Sequence, residues 1–425
     1  MTESYAAWLG IDWADEKHRW ALQVAGQTRI EQGELDHTPE AVEHFLVDLA
    51  TRFPGQRIAV ALEQSRGALL FMLGKYAHVV LYPIHPNMLD HYRKSFYPSG
   101  AKSDPSDAAL ILEVLTKHSE RLRLFEPDTV PTRTLQFLVE ARRQAVDDKT
   151  RYGNRLTAQL KMYWPQLLAW FEVDAVGLGP LLREWPTLEQ LQAAKPARVT
   201  KLLRQHRFTE ARVEQFQQAM RTALPAIKDR AVIESSVLIV QLVVRQIEVL
   251  RESIAQQDRR IAELSGAHPD HSIFASLPSA GPAMVPRLIA AFGTQRDRFA
   301  TAAQMQCYSG IAPVTARSGK HQWVHWRWAC PKFLRQTFHE WAWLSTRKSE
   351  WARAYYDRQR ERKKSHHAAV RALAFKWLRI LFRCWKDHRP YEESRYLQSL
   401  QTRAKPVQIA VKNTTGLTSL KELLS

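Results

Sequence analysis

Four carboxylates stand where they could hold a hard cation. Asp12 lies inside the apolar run Leu9-Gly-Ile-Asp-Trp-Ala14, and a carboxylate in an apolar strand is costly without a cation beside it. Glu63 directly follows the apolar stretch 57–62, at the end of a strand where the sites of open sheets collect. Asp104 and Asp107, three residues apart at a helix start, share one face. Brought together, the four would bind one or two Mg²⁺ ions, and paired Mg²⁺ clamps the attacking and leaving oxygens of a phosphodiester. Plainer readings stand beside this one. Asp104 also fits an N-cap, with Pro105 at N1 and Asp107 at N3. Asp12 can pair with Lys17, His18 or Arg19, and Glu63 can be a solvated loop acid.

A second group surrounds a hydroxyl. In Arg317-Ser-Gly-Lys320 a serine sits among cations that can hold a phosphate and stabilise developing charge on it. A polar loop is the plainer reading. Ser309, in the same segment, is a rival nucleophile, although its place between a helix end and Gly310 suits capping. Further upstream, Leu277-Pro-Ser-Ala-Gly-Pro282 reads as the hairpin of a helix-hairpin-helix. There Gly281 would let backbone N–H groups approach a phosphate, and an ordinary helix connection is the alternative.

Charge points to a polyanion. Lys and Arg number 61 against 43 Asp and Glu, a net charge of +18. Residues 351–405 alone carry 15 basic and 5 acidic side chains, so more than half of the surplus sits in about an eighth of the chain. Arg358, Arg360, Arg362, Lys363 and Lys364 form its densest part and read as a phosphate-binding surface. Eight of the 14 tryptophans lie between Trp323 and Trp385, a pattern that suits an aromatic core beneath that surface.

Several classes are excluded. Apolar residues make up 45% of the 425, too many for a disordered chain. The most apolar stretch, 232–250, is interrupted by Glu234, Gln241, Arg245 and Glu248 and predicts no membrane span. The first ten residues predict no secretory leader. Three scattered cysteines argue against a disulfide framework, and a cytoplasmic location is expected.

The elements that must position these groups fall into three segments. Strands are expected at 6–13, 18–24, 29–35, 57–62 and 78–84, and helices at 38–53, 67–76 and 104–117. That order describes a mixed sheet with packed helices. An Asp on the first strand, an acid ending the fourth and a late Asp pair match a ribonuclease-H-like metal fold. Residues 135–171 and 231–265 read as long helices, the second with an apolar stripe from Val237 to Ile261 that suggests a coiled coil. Shorter helices fill 180–227. The last third is mainly helical, with a helix at 299–308, a loop at 309–320, long basic helices to about 388 and a poorly ordered tail after 406.

In this order the pieces resemble the one-hundred-and-ten family of insertion-sequence transposases, the DEDD transposases or bridge-RNA-guided serine recombinases. The resemblance rests on Gly10-Ile-Asp-Trp-Ala14, Ala61-Leu-Glu63, Ser99-Gly-Ala-Lys-Ser-Asp-Pro-Ser-Asp-Ala108, the 277–282 hairpin, Tyr308-Ser-Gly-Ile-Ala-Pro313, Ala316-Arg-Ser-Gly-Lys320 and the segment 369–391. It implies a RuvC-like DEDD domain (1–125), a coiled-coil linker with inserted helices (126–268) and a C-terminal transposase domain (269–425). The family's acids fall on Asp12, Glu63, Asp104 and Asp107, its serine on Ser318, and Lys102 joins the nucleic-acid contacts. The implied activity is strand exchange between donor and target DNA through a 5′-phosphoserine link. It implies Mg²⁺, a composite active site shared between protomers, dimers assembling to a tetramer, and a structured non-coding guide RNA. The 277–282 hairpin departs from the family's usual Pro-Gly-Ile/Val-Gly-Pro, and 180–227 is longer than in compact members. A metal-only nuclease resembling a Holliday-junction resolvase, and a non-catalytic nucleic-acid-binding protein, are the competing readings.

Overall fold

The computed structural model describes residues 4–63, 67–96 and 104–408, the side chains of 104–106, 401 and 403–408 excepted. It falls into two units, Met1–Pro127 and Asp128–Ser425, and is 62% helical.

Unit one is a five-stranded mixed sheet with helices on both faces. Its elements are β1 (Ala7–Asp12), β2 (Lys17–Val24), β3 (Ile30–Asp36), α1 (Pro39–Arg52), β4 (Ile58–Leu62), α2 (Ala68–Leu73), β5 (Val79–Pro83), α3 (Pro86–Phe96) and α4 (Asp104–His118). The strand order is β3-β2-β1-β4-β5. The first three strands form an antiparallel meander, and β4 and β5 run parallel to β1. Every residue of β4, Ile-Ala-Val-Ala-Leu, is buried, as a strand covered on both faces requires. On one face Leu9, Ile11, Val60 and Leu62 pack with Val42, Leu46, Leu69 and Leu70 of α1 and α2. On the other, Ala59, Ala61, Val80 and Tyr82 pack with Leu110, Ile111, Val114 and Leu115 of α4. Thr38 caps α1 by accepting the Ala41 N–H, with Pro39 at N1. The sequence reading lacked α3. Only Leu89 of its eleven residues is buried, so no apolar stripe marks it.

Unit two is built on two long helices, α5 (Val130–Tyr163) and α11 (Arg230–Gly266). Thr132 bonds His268 and Arg142 bonds Asp258, so ten residues forward along one helix match ten backward along the other: the pair is antiparallel. The helix expected to reach 171 stops at Tyr163, because Pro165 bars the residue before it from helical geometry. Between them lie α6 (Leu167–Trp170), α7 (Leu178–Glu184), α8 (Leu188–Ala193), α9 (Pro196–Gln205) and α10 (Glu210–Thr222). These close a core around Trp164, Phe171 and Phe216 with one end of the long pair.

The other end joins a second core, formed with α12 (His271–Ala275), α13 (Met284–Phe292), α14 (Ala302–Tyr308), α15 (Lys332–Ser345), α16 (Glu350–Glu361), α17 (His366–Lys386) and α18 (Glu393–Gln408). Trp341, Trp351, Trp377 and Trp385 are fully buried here. The helix expected from 299 begins only at Ala302, where Thr301 accepts the Gln304 N–H as N-cap. The loop expected over 309–320 is corrected: Val314–Ser318 is β6, paired antiparallel with β7 (His321–His325). Two runs around a two-residue Gly-Lys turn are a hairpin signal. The expected Pro98-Ser-Gly loop and the chain beyond 408 lie outside the described residues.

Candidate active site and nucleic-acid surface

Asp12 ends β1, and Glu63 directly follows β4. The two strands are parallel neighbours with Ile11 opposite Leu62. Asp12 and Glu63 therefore take adjoining places at the carboxyl ends, with a strand spacing of about 4.8 Å, on the face of Gly10 and Ala61. That face is the α4 side. A Cβ on Gly10 would lie 2.5 Å from the Ala108 carbonyl oxygen and 2.6 Å from the Leu112 nitrogen. Glycine there lets the helix backbone rest directly on the strand. Asp107 is next to Ala108, whose carbonyl meets Gly10 two residues before Asp12.

Asp107 is 2% exposed and ion-paired with Arg93 of α3. The sequence reading missed Arg93 along with its helix. Asp104 begins α4, but its side chain and all of Lys102 lie outside the described residues. Among the described residues, no three His, Cys, Asp or Glu side chains are arranged to hold a metal ion. The donor chemistry, hard carboxylate oxygens, fits a divalent cation, and the guanidinium of Arg93 stands where a cation would neutralise Asp107. Of the cations weighed as partners for Asp12, Arg19 is its register partner across β1 and β2, and all three also make contacts elsewhere. Arg19 reaches Glu34 at 2.5 Å, and Lys17 lies 3.6 Å from Asp36. His18 is buried: its Nδ1 accepts the Ala14 N–H, so its Nε2 carries the proton and donates to His37 Nδ1 at 2.9 Å. Burial, then the neighbouring His37, pushes the His18 pKa down to about 4.

Ser318 and His321 are register partners across the turn Gly319-Lys320, where Gly319 has φ +56°. Directly paired residues project to the same face, so a hydroxyl and an imidazole stand side by side, with Trp323 and His325 farther along that face. Ser318, Arg317 and Lys320 are all exposed. Ser309 differs: it is fully buried at the end of α14, and its Oγ donates to the Gln306 carbonyl at 3.2 Å. Gly310 follows with φ +73°, and a Cβ there would lie 2.2 Å from Cys330 Sγ. In the 277–282 connection the left-handed residue is Ser279 (φ +60°), and the space around Gly281 is open.

Arg358, Arg360, Arg362, Lys363 and Lys364 close α16 and the turn after it. Among the described residues none of the five stands within 4.0 Å of a carboxylate. Lys376 of α17 lies 4.7 Å from the Tyr355 ring centre. Its pKa is lowered by burial and then by Arg358 and Arg379. Cations gathered this closely favour the approach of an anion. Lys376 and Arg379 belong to the basic stretch 351–405, and the turn between α16 and α17 brings them beside Arg358.

This end-of-strand acid arrangement and this exposed serine belong to a chain whose relatives are transposases. Residues 9–165 match the DEDD transposase family model of IS110, described as "Transposase", and residues 271–357 match the "Transposase IS116/IS110/IS902 family". The Streptomyces coelicolor protein named "Mini-circle putative transposase for IS117" is 26% identical over 92% of this chain and 97% of its own length. The insertion element IS110 43.6 kDa protein of the same organism is 25% identical over 92% and 96%. The insertion element IS900 42 kDa protein of Mycobacterium paratuberculosis is 26% identical over 90% and 96%. The chain belongs to the IS110 family of transposases.

Proposed function

We propose that the chain is an RNA-guided DNA recombinase that cuts and rejoins donor and target strands through a 5′-phosphoserine link at Ser318. The observation that carries this reading is the contrast between the two serines: Ser318 is exposed at a hairpin turn beside His321, Arg317 and Lys320, whereas Ser309 is buried and bonded. Ser318 Oγ attacks the phosphorus, its proton passes to the His321 imidazole, and the Oγ–P bond forms as the P–O3′ bond breaks. The leaving 3′-oxygen takes a proton from water. Arg317 and Lys320 hold the phosphate oxygens as charge builds. The sheet order and the placing of Asp12, Glu63 and Asp107 support a RuvC-like domain in unit one, with Asp104 as the fourth acid. Those acids would hold Mg²⁺, which when bound supplies charge stabilisation at the phosphodiester. The antiparallel α5–α11 pair is read as the coiled-coil linker of a tetrameric synapse, in which one protomer's acids serve another's serine. The charge of +18 suits a guide RNA as well as DNA.

A denaturing gel of the chain with its element's DNA tests this reading. A protein–DNA adduct that maps by mass spectrometry to the peptide carrying Ser318 is the expected result. Cleavage without an adduct assigns a metal-only nuclease, and an adduct on Ser309 or Tyr308 overturns the serine assignment. RNA that copurifies with the chain and restores cleavage after nuclease treatment is expected for the guide.

A further inference from the structure

The β6–β7 hairpin carries aromatic surface that the chemistry above does not use. All five residues of β7 are exposed. Trp323 is 50% and Trp328 76% exposed. A two-stranded hairpin is marginal by itself in water, and large apolar groups exposed on it and just past it, where Trp328 lies three residues beyond β7, mark a binding surface. The root of the hairpin is anchored. The Trp326 ring lies 4.0 Å from the Arg371 guanidinium, and Arg335 donates to the Arg327 carbonyl at 3.3 Å. The indoles of Trp323 and Trp328 are therefore presented from a fixed base.

The surrounding charge selects the occupant. From Arg298 to His339 the chain carries six Arg and Lys residues and no Asp or Glu. A second copy set face to face on this same patch would bring the same cations against these and be repelled. A single nucleic-acid strand matches both properties, because its phosphates answer the cations and each base offers a flat π face to an indole. Register adds a position: Trp323 shares the face of Ser318 and lies two residues along β7 from its partner His321.

We propose that the hairpin is a stacking platform for unpaired DNA bases, with Trp323 taking a base next to the phosphate held at Ser318 and Trp328 a further one. The stacking itself stands without the serine chemistry; the position of the first base rests on that reading.

The test uses the full chain and a fluorescein-labelled single-stranded oligodeoxynucleotide, compared with a duplex of equal length at fixed salt. The expected result is a loss of single-strand affinity of about tenfold or more in Trp323→Ala/Trp328→Ala and in Trp323→Leu/Trp328→Leu. Trp323→Phe/Trp328→Phe should keep it within about threefold, and duplex affinity should be unchanged in all three. Leucine variants that bind like the phenylalanine ones, or equal losses on duplex, overturn the proposal. So does an altered oligomeric state in light scattering with single-strand binding intact, which assigns the surface to a second copy. For the position, 2-aminopurine placed along a strand trapped as the adduct should be quenched most beside the linked phosphate, and a maximum elsewhere removes the Trp323 assignment. Absence of any adduct fails the serine reading and leaves the affinity measurements to decide the stacking.

Discussion

Gly310 and His18 show how single residues hold the surroundings of the two candidate centres. At Gly310 a side chain meets both a left-handed backbone and Cys330 Sγ at 2.2 Å from its Cβ. Gly310→Ala should cost about 2–4 kcal/mol in urea unfolding, part strain and part overpacking. Adding Cys330→Ala should restore part of that loss, and strict additivity would show that the contact is not the cause. His18 behaves differently because it titrates. Its folded pKa of about 4 lies below the ordinary 6.5, so the folded chain binds fewer protons than the unfolded one between those values. Stability is intact above pH 6.5 and falls as pH drops through that window, by up to about 3 kcal/mol. Unfolding midpoints at pH 7 and pH 4.5 should show a smaller difference in His18→Gln than in the unaltered chain. An equal difference would place the titration elsewhere.

Elements set the acids. β1 and β4 are neighbours and parallel, which is why Asp12 and Glu63, 51 positions apart in the chain, take adjoining places. α4 reaches them because Gly10 has no side chain to hold it off. Gly10→Ala should lift α4 from the sheet and lower Tm by several degrees, since both close neighbours are backbone atoms that cannot turn aside. A variant as stable as the parent would mean that the helix shifts freely. Metal binding belongs to the same scale. Mg²⁺ should raise the Tm of the intact chain by binding the folded state, and the rise should vanish in Asp12→Ala and Glu63→Ala. A rise that persists in both variants would move the ion to another site.

Across the whole molecule the clustered cations are the expected source of DNA affinity. Charge reversal of Arg358, Arg360, Arg362, Lys363 and Lys364 together should flatten the dependence of DNA affinity on salt, with the logarithmic slope falling by about 0.9 for each phosphate no longer neutralised. An unchanged slope would mean that these side chains are only solvated. Assembly is read by complementation: a mixture of Asp12→Ala and Ser318→Ala chains should regain adduct formation if protomers share sites. Continued inactivity of the mixture would place both halves of each site in one chain.

The sequence by itself determined whatever depends on local periodicity or composition. The strand 58–62 is continuously apolar, Thr38-Pro39 opens α1, the apolar stripe of α11 repeats at helical steps, and the surplus of cations is plain in a count. The family was legible too, because its motifs are short and contiguous, and the matches over 9–165 and 271–357 bear it out. Tertiary structure decided the rest, because partners far apart in the chain leave no local trace. Arg93 meets Asp107 only once an almost stripeless helix, α3, packs beside α4. Lys376 joins Arg358 only across two helices. Ser309 and Ser318 are alike as letters, and only packing buries one and leaves the other open, since burial is a property of what the rest of the chain places around a residue.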